Sequence, residues 1–173
     1  MKRKLVSLVL ATAMITSSMV AMPVFASDDT ATEETADDTA KADVDLSDKK
    51  VGICIYQFSD NFMTLFRTEL ENYLIELGFS KDNITIQDGA NDQATQSNQI
   101  DAFIADGVDL LIINPVNSSS AESITDKVVA ANIPLVYVNR EPSEDEEKRW
   151  EDNGWNVTYV GCDARQSGTM QGE

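Results

Sequence analysis

Two short runs of the sequence are apolar at every successive position, Leu110–Ile113 and Leu135–Val138. A strand with one face in water alternates apolar and polar residues, so a continuous apolar run indicates a strand that is buried on both faces. Burial on both faces requires helices on both sides of the sheet, which is the arrangement that parallel βαβ units produce. These runs therefore predict an α/β fold built on a parallel sheet.

The chain from Lys50 onward supplies the alternating elements that such a fold needs. Further strands are predicted at residues 51–57, 83–87 and 157–161, and helices after the first, second and third strands. The first two helices are predicted to end near Gly78 and Gly107. The predicted fold class is a doubly wound parallel α/β sheet with the flavodoxin-like strand order 2-1-3-4-5. The apolar residues at helical spacing in the first helix are Phe62, Phe66, Leu70, Tyr73, Leu74 and Leu77.

Residues 143–156 interrupt this alternation with a dense run of charged side chains. We interpret the run as a charged surface excursion that turns at Asn153-Gly154. Two tryptophans, Trp150 and Trp155, lie within it. They are expected to pin the loop to the domain, and contact with a partner or ligand is the alternative.

The first 26 residues predict an export signal. They combine a basic start, an apolar stretch and Val24-Phe25-Ala26 ahead of an acidic run, which indicates cleavage after Ala26. The alternative is a retained membrane anchor, but hydroxyl side chains such as Thr12 and Thr16 interrupt the apolar stretch. We therefore expect a protein that is secreted across the cytoplasmic membrane, to the periplasm or the exterior of the cell envelope.

Residues 27–49 carry nine acidic side chains and almost no large apolar ones. A segment of this kind buries too little surface to offset the entropy of ordering it, so it predicts a disordered acidic linker. Its role is that of a tether, or of a solvated tail with no further function.

Charge and composition exclude several functions. The chain has 13 Lys and Arg against 30 Asp and Glu, a formal net charge of −17, so nucleic acid is not an expected partner. It contains no His, the usual general base and the commonest metal ligand. Phosphate loops, nucleophile elbows and metal clusters are also missing from the sequence, so we expect no enzyme, no catalytic residue and no metal site in this segment.

The two cysteines, Cys54 and Cys162, fall in or beside the first and fifth strands. With two strands between them, the spacing of neighbouring strands puts them roughly 14 Å apart, beyond the reach of a disulfide. We expect both to be buried free thiols.

Two polar clusters follow predicted strands and mark the candidate site. The first spans residues 56–62 and the second residues 139–142. Ligands of open α/β sheets bind outside the carboxyl ends of the strands, where the strand order reverses, so Asp60, Phe62 and Asn139 are expected to face one ligand. A carboxylate, an amide and a flat apolar ring suit a sugar, because they bind hydroxyls and cover the C–H face of a pyranose. Tyr56 and Arg140 are further candidate ligand-binding residues.

Each of these residues has a simpler alternative role. Asp60 is a preferred residue type for capping the helix that begins near Phe62, and Phe62 fits a core position. Asn139 can satisfy backbone groups of its own loop. For Tyr56 and Arg140 a structural role and a ligand role carry similar weight.

From residue 51 to 173 the chain resembles the amino-terminal lobe of bacterial sugar-binding proteins of ABC importers, of the galactose/glucose-binding type. Each motif alone is weak, but five in order at compatible spacing make the resemblance specific. The motifs are Tyr56-Gln57-Phe58-Ser59-Asp60-Asn61-Phe62-Met63, Asn91-Asp92-Gln93, Ile113-Asn114-Pro115, Asn139-Arg140-Glu141-Pro142, and Tyr159-Val160-Gly161-Cys162-Asp163 ending in Gln171-Gly172.

The resemblance implies roles for three residues. Asp60 would accept hydrogen bonds from sugar hydroxyls, Phe62 would stack on one face of the ring, and Asn139 would bond a ring hydroxyl. Ribose-binding relatives usually carry two adjacent aromatics after the first strand and Asp-Arg after the fourth. This chain has a single aromatic followed by Met63, and Asn139-Arg140, so a hexose fits better than a pentose.

The resemblance also implies a second lobe, which in this family supplies the opposing aromatic and often a calcium loop. Residues 50–163 would form the amino-terminal lobe, and residues 164–173 would begin the following helix in a truncated chain or fragment. No cofactor is expected in this segment. The implied partners are a monosaccharide and the membrane subunits of an ABC transporter, with a chemoreceptor as a further compatible partner.

Two other kinds of function are compatible with such a lobe. A sugar-responsive transcription regulator would carry a helix-turn-helix and a basic surface in place of the export signal and acidic segment, which disfavours it. A secreted receptor module for chemotaxis or two-component signalling stays compatible, as does a pentose-binding relative.

Overall fold

The computed structural model describes residues 44–162, which form five strands and four helices. The predicted export signal, most of the acidic linker and the predicted helix from residue 164 lie outside these residues. The strands are β1 (Val51–Ile55), β2 (Ile84–Asp88), β3 (Leu110–Ile113), β4 (Leu135–Val138) and β5 (Val157–Val160). The helices are α1 (Asn61–Glu76), α2 (Gln93–Ala105), α3 (Ala121–Ala130) and α4 (Glu144–Asn153).

All five strands are parallel and lie in the order β2-β1-β3-β4-β5. Ile53 of β1 is in register with Ile86 of β2 on one side and with Ile112 of β3 on the other. The chain therefore winds outward from β1 in both directions. The predicted fold class and strand order are confirmed.

Helices cover both faces of the sheet, as the continuous apolar runs predicted. Ile53 packs in a cluster with Met63 and Leu74 of α1. Cys54, the next residue of β1, packs in the other cluster, which contains Ile100 of α2 together with residues of α3 and α4. Successive residues of a strand point to opposite faces, so α1 lies on one side of the sheet and α2, α3 and α4 lie on the other.

The ends of the helices follow from local chemistry. Asp60 and Asp92 cap α1 and α2, each accepting a hydrogen bond from a backbone N–H three residues further on. Gly78 has φ +108°, just beyond the end of α1. A residue in this conformation closes many helices, and only glycine adopts it without steric cost. The predicted end of the first helix is therefore confirmed.

The interpretation of residues 143–156 as a surface excursion is wrong, because Glu144–Asn153 form α4. Ser143 caps the helix by accepting a hydrogen bond from the N–H of Glu146. The four acidic residues in the first turn stabilise the helix further, because their negative charges lie at the positive end of the helix dipole. The helix closes at Gly154, which has φ +62°. This helix has no apolar periodicity in the sequence, because almost every residue in it is charged.

Strand ends also differ from the predictions. The first strand stops at Ile55, so Tyr56 and Gln57 belong to the loop, where the carbonyl of Tyr56 accepts from the N–H of Asn91 at 2.7 Å. The second strand begins and ends one residue later than predicted, and the fifth ends at Val160. In α1, Phe62 and Tyr73 share the helical spacing of the buried residues but are 59% and 57% exposed.

The expectation for the cysteines is half correct. Both are free; Cys54 is fully buried, and burial raises the pKa of its thiol to about 12. Cys162 is exposed rather than buried, because it lies two residues beyond the last residue of β5. Within residues 44–162, no helix is both long and apolar enough to cross a membrane.

Candidate functional site

The candidate site lies at the carboxyl edge of the sheet, where strand order reverses. Tyr56 directly follows β1, Asn114 follows β3 and Asn139 follows β4. Because β1 lies between β2 and β3, the loops after β1 and β3 leave the sheet on either side of the reversal point. This is the position at which open α/β sheets bind ligands.

Both carboxylate oxygens of Asp60 accept hydrogen bonds within the candidate site. Its Oδ1 accepts from the backbone N–H of Met63 at 3.0 Å, and its Oδ2 accepts from the Tyr56 hydroxyl at 2.5 Å. These hydrogen bonds, that of Tyr56 foremost, lower the pKa of Asp60. A carboxylate has about four acceptor positions, so the bonds from Met63 and Tyr56 together leave about two for a ligand.

Phe62 is the second residue of α1 and is 59% exposed. Its ring packs against Phe66 with centroids 6.2 Å apart and planes 29° from parallel. Contact with Phe66 supports one part of the ring and leaves a large apolar surface open at the start of the helix. Because the ring is exposed, the simpler alternative for Phe62, a position in the core, is wrong.

Asn139 has its backbone fixed and its side chain open. It adopts φ +63°, a left-handed conformation that asparagine tolerates better than most residues. Its N–H donates to the carbonyl of Val160 at 3.1 Å, and its carbonyl accepts from the Tyr159 hydroxyl at 3.1 Å. Within the described part of the chain, no hydrogen bond engages its side-chain amide, which retains two donors and an acceptor.

Tyr56 and Arg140 contact each other. The Arg140 guanidinium lies 3.8 Å from the centre of the Tyr56 ring and donates to the carbonyls of Pro115 at 3.2 Å and Val116 at 2.5 Å. Tyr56 is only 8% exposed, and its hydrogen bond to Asp60 raises the pKa of its hydroxyl. The structure thus joins Asp60, Tyr56 and Arg140 through direct contacts. Phe62 and Asn139 lie two residues and one residue away from this group along the chain.

Sequence reasoning missed two residues behind the site. Gln96 is fully buried in α2, and its amide bonds the backbone of Asn114 and Val116. Asp88, at the end of β2, accepts from the N–H groups of Phe58 and Ala90. A polar residue four positions before the buried Ile100, on the same face of a helix, was the available signal for Gln96.

The arrangement offers carboxylate acceptors, an open amide and an aromatic face along one edge of the sheet. Groups of these types can bind a small polyhydroxylated molecule, by hydrogen bonds to its hydroxyls and by contact of the ring with its C–H groups. Within residues 44–162, no group of three or more His, Cys, Asp and Glu side chains could hold a metal ion.

Fold and site together define a lobe of an α/β solute-binding protein. The sequence profile of the periplasmic binding protein domain matches residues 51–173. The chain therefore belongs to the periplasmic binding protein domain family.

Curated relatives support this assignment. The D-galactose/methyl-galactoside binding periplasmic protein of Haemophilus influenzae is 34% identical over 127 residues, which are 73% of this chain and 37% of that protein. A putative rhizopine-binding protein of Rhizobium meliloti is 41% identical over 92 residues, which are 53% of this chain and 29% of that protein.

A solved structure shows the same likeness. The ABC transporter solute binding protein of Bacillus halodurans C-125 with bound myo-inositol matches with a TM-score of 0.52 and 30% identity, covering 59% of this chain and 35% of that chain. The chain thus spans roughly a third of the length of each of these three relatives.

Proposed function

We propose that this chain is the amino-terminal lobe of an extracytoplasmic solute-binding protein that captures a hexose of the galactose/glucose type for an ABC importer. The observation that carries the proposal is the Asp60 carboxylate, which keeps acceptor positions open beside the exposed ring of Phe62. The relatives named for galactose and solved with myo-inositol bind six-membered polyhydroxylated rings, which supports a ligand of that shape.

Capture of the sugar requires no chemical step. Asp60 accepts hydrogen bonds from neighbouring hydroxyls, and its low pKa keeps it ionised at neutral pH. Phe62 covers the C–H face of the pyranose, and Asn139 both donates to and accepts from a ring hydroxyl. Because the capping bond of Asp60 and the backbone anchors of Asn139 are made by the lobe itself, little ordering is needed on binding.

We propose that a second lobe completes the site, since the relatives are about three times as long as the segment they share with this chain. Closure of two lobes on a ligand is a common hinge motion, and the closed form is what the membrane subunits of an importer, or a chemoreceptor, would recognise. A calcium loop, where the protein has one, would belong to that second lobe. The export signal at residues 1–26 would deliver the protein to the periplasm or the exterior of the cell envelope.

Calorimetry with the full gene product tests the proposal. D-Galactose and D-glucose are expected to bind more tightly than D-ribose. Asp60→Asn keeps a good helix cap but removes the charge, so it should weaken hexose binding roughly ten- to a hundredfold by the usual worth of a charge-assisted hydrogen bond.

Asp92→Asn is the matched control, because Asp92 caps α2 as Asp60 caps α1. It should leave hexose affinity unchanged. Equal affinities in wild type and Asp60→Asn would remove Asp60 from the site, and binding of none of the three sugars would overturn the proposed function.

A further inference from the structure

The backbone that follows β3 is held from two directions. On one side, the buried amide of Gln96 donates from Nε2 to the carbonyl of Asn114 at 2.9 Å and accepts at Oε1 from the N–H of Val116 at 2.9 Å. On the other side, Nη1 of Arg140 donates to the carbonyls of Pro115 and Val116. Residues 114–116 are therefore a fixed anchor for the Arg140 guanidinium.

The anchored guanidinium fixes the ring of Tyr56. It lies over the ring at 3.8 Å, and a planar guanidinium can stack on the ring while its Nη1 bonds the two carbonyls. A lysine ammonium can supply the charge and donate to carbonyls, but it has no planar group to stack on the ring. The ring can thus move little relative to the loop after β3.

The fixed ring in turn directs its hydroxyl to Asp60. Tyr56 Oη donates to Asp60 Oδ2, while Oδ1 is held by the N–H of Met63. With one bond on each oxygen, the plane of the carboxylate is set, and its remaining acceptor positions point in fixed directions.

We propose that Arg140 and Gln96 are positioning residues of the sugar site, which act on the ligand through Tyr56 and the orientation of the Asp60 carboxylate. The expected effect on sugar affinity rests on the proposed function, whereas the expected effect on the pKa of Asp60 does not. The proposal assigns Arg140 and Tyr56 a role different from the ligand contact expected from sequence, because the Tyr56 hydroxyl bonds Asp60 and Nη1 of Arg140 bonds two backbone carbonyls.

The structural readout is the pKa of Asp60, followed by carbon-13 NMR of its carboxyl group. Tyr56→Phe removes the bond to Oδ2 and should raise that pKa. Arg140→Lys keeps the positive charge but loses the planar group that stacks on Tyr56, so it should raise the pKa of Asp60 as well, by loosening the ring. The double variant should show no larger rise than Tyr56→Phe alone, because both changes act through one hydrogen bond.

Gln96→Met provides a second route to the same effect, since it removes both bonds to residues 114–116 at similar volume. Arg67→Lys is the matched control. Its guanidinium also stacks on an aromatic ring, that of Phe58 at 3.9 Å, but within residues 44–162 no hydrogen bond or ion pair joins it to Tyr56 or Asp60. The Asp60 pKa should stay at its wild-type value in this control.

The sugar readout is D-galactose affinity in the full gene product. Tyr56→Phe and Arg140→Lys are each expected to weaken it by up to about tenfold, with a double variant no weaker than the stronger single effect. An unchanged Asp60 pKa in both Arg140→Lys and Gln96→Met would overturn the proposal, as would effects of Tyr56→Phe and Arg140→Lys that multiply. If wild type binds no sugar, the proposed function fails while the Asp60 pKa still decides the positioning role.

Discussion

At the scale of single residues, the helix cap made by Asp60 is compatible with its proposed ligand role, although sequence reasoning treated the two as alternatives. It caps α1 through Oδ1 and receives the Tyr56 hydroxyl at Oδ2. Each oxygen retains an acceptor position, so capping does not exclude a ligand. The hydrogen bonds that orient the carboxylate also lower its pKa, so a change in those bonds should change the pKa of Asp60.

The ionisation of Asp60 predicts how hexose affinity depends on pH. Its pKa lies below the usual value of 3.8, so it stays ionised from pH 8 down to pH 5 and becomes protonated only in strong acid. The chain has no His that would titrate near neutral pH. Affinity for D-galactose measured by calorimetry should therefore be constant across that range and fall only as the pH approaches the lowered pKa.

The contribution of these hydrogen bonds to folding stability changes with pH in the same direction as the hexose affinity does. A depressed pKa means that the contribution is present above the pKa of the unfolded chain and is lost as pH falls through the folded value.

In Tyr56→Phe the pKa of Asp60 should rise, so the loss of hexose affinity on acidification should begin at a higher pH than in wild type. A fall in wild-type affinity between pH 8 and pH 5 would show that a group other than Asp60 controls binding.

Residues at strand ends could be predicted from the sequence, and pairings between distant residues could not. Asp60 and Asn139 stand directly after or close to apolar strands, and the carboxyl edge of the sheet gives them a role. Gln96 and Val116 are twenty residues apart, and their hydrogen bond depends on how α2 packs on the sheet. The stacking of Arg140 on Tyr56 depends in the same way on the distance between the loops after β1 and β4.

At the scale of secondary structure, β3 and β4 were predicted to the residue, while α4 was missed. Continuous apolar runs identify buried strands directly, whereas α4 contacts the core mainly through one large side chain. Trp150 is 4% exposed and stacks on Tyr137 with ring centroids 5.4 Å apart. Its Nε1 donates to Oε1 of the buried Glu146. A single apolar anchor produces no periodic pattern, so the helix resembled a charged loop.

The anchor of α4 predicts a specific loss of stability. Trp150→Phe removes the indole donor from a buried carboxylate and leaves a smaller ring, so it should lower the free energy of unfolding by about 2 kcal/mol. Urea unfolding followed by far-UV circular dichroism measures this change.

Trp155→Phe is the control for the loss of a tryptophan. Trp155 is only partly buried, and within residues 44–162 its indole N–H makes no hydrogen bond to a carboxylate. The control should cost clearly less than Trp150→Phe. Equal losses in the two variants would mean that the bond from Trp150 to Glu146 does not hold α4 in place.

At the scale of the whole molecule, residues 44–162 present the candidate site as an exposed surface at the carboxyl edge of the sheet. Phe62, Asp60 and Asn139 occupy one edge of the sheet, and the shared segment is about a third of the length of the relatives. Two-lobed binders gain affinity by closing on the ligand from both sides. We therefore expect residues 27–173 alone to bind a hexose weakly, in the millimolar rather than the micromolar range, and through the same residues.

A nitrogen-15 NMR titration of residues 27–173 with D-galactose is the sharpest test of sugar binding at Asp60, because it locates even weak binding. Added sugar should shift the backbone resonances of Asp60 and Phe62 and the side-chain amide of Asn139, and Asp60→Asn should suppress these shifts. Shifts confined to another part of the sheet, or none at millimolar galactose, would contradict sugar binding at Asp60.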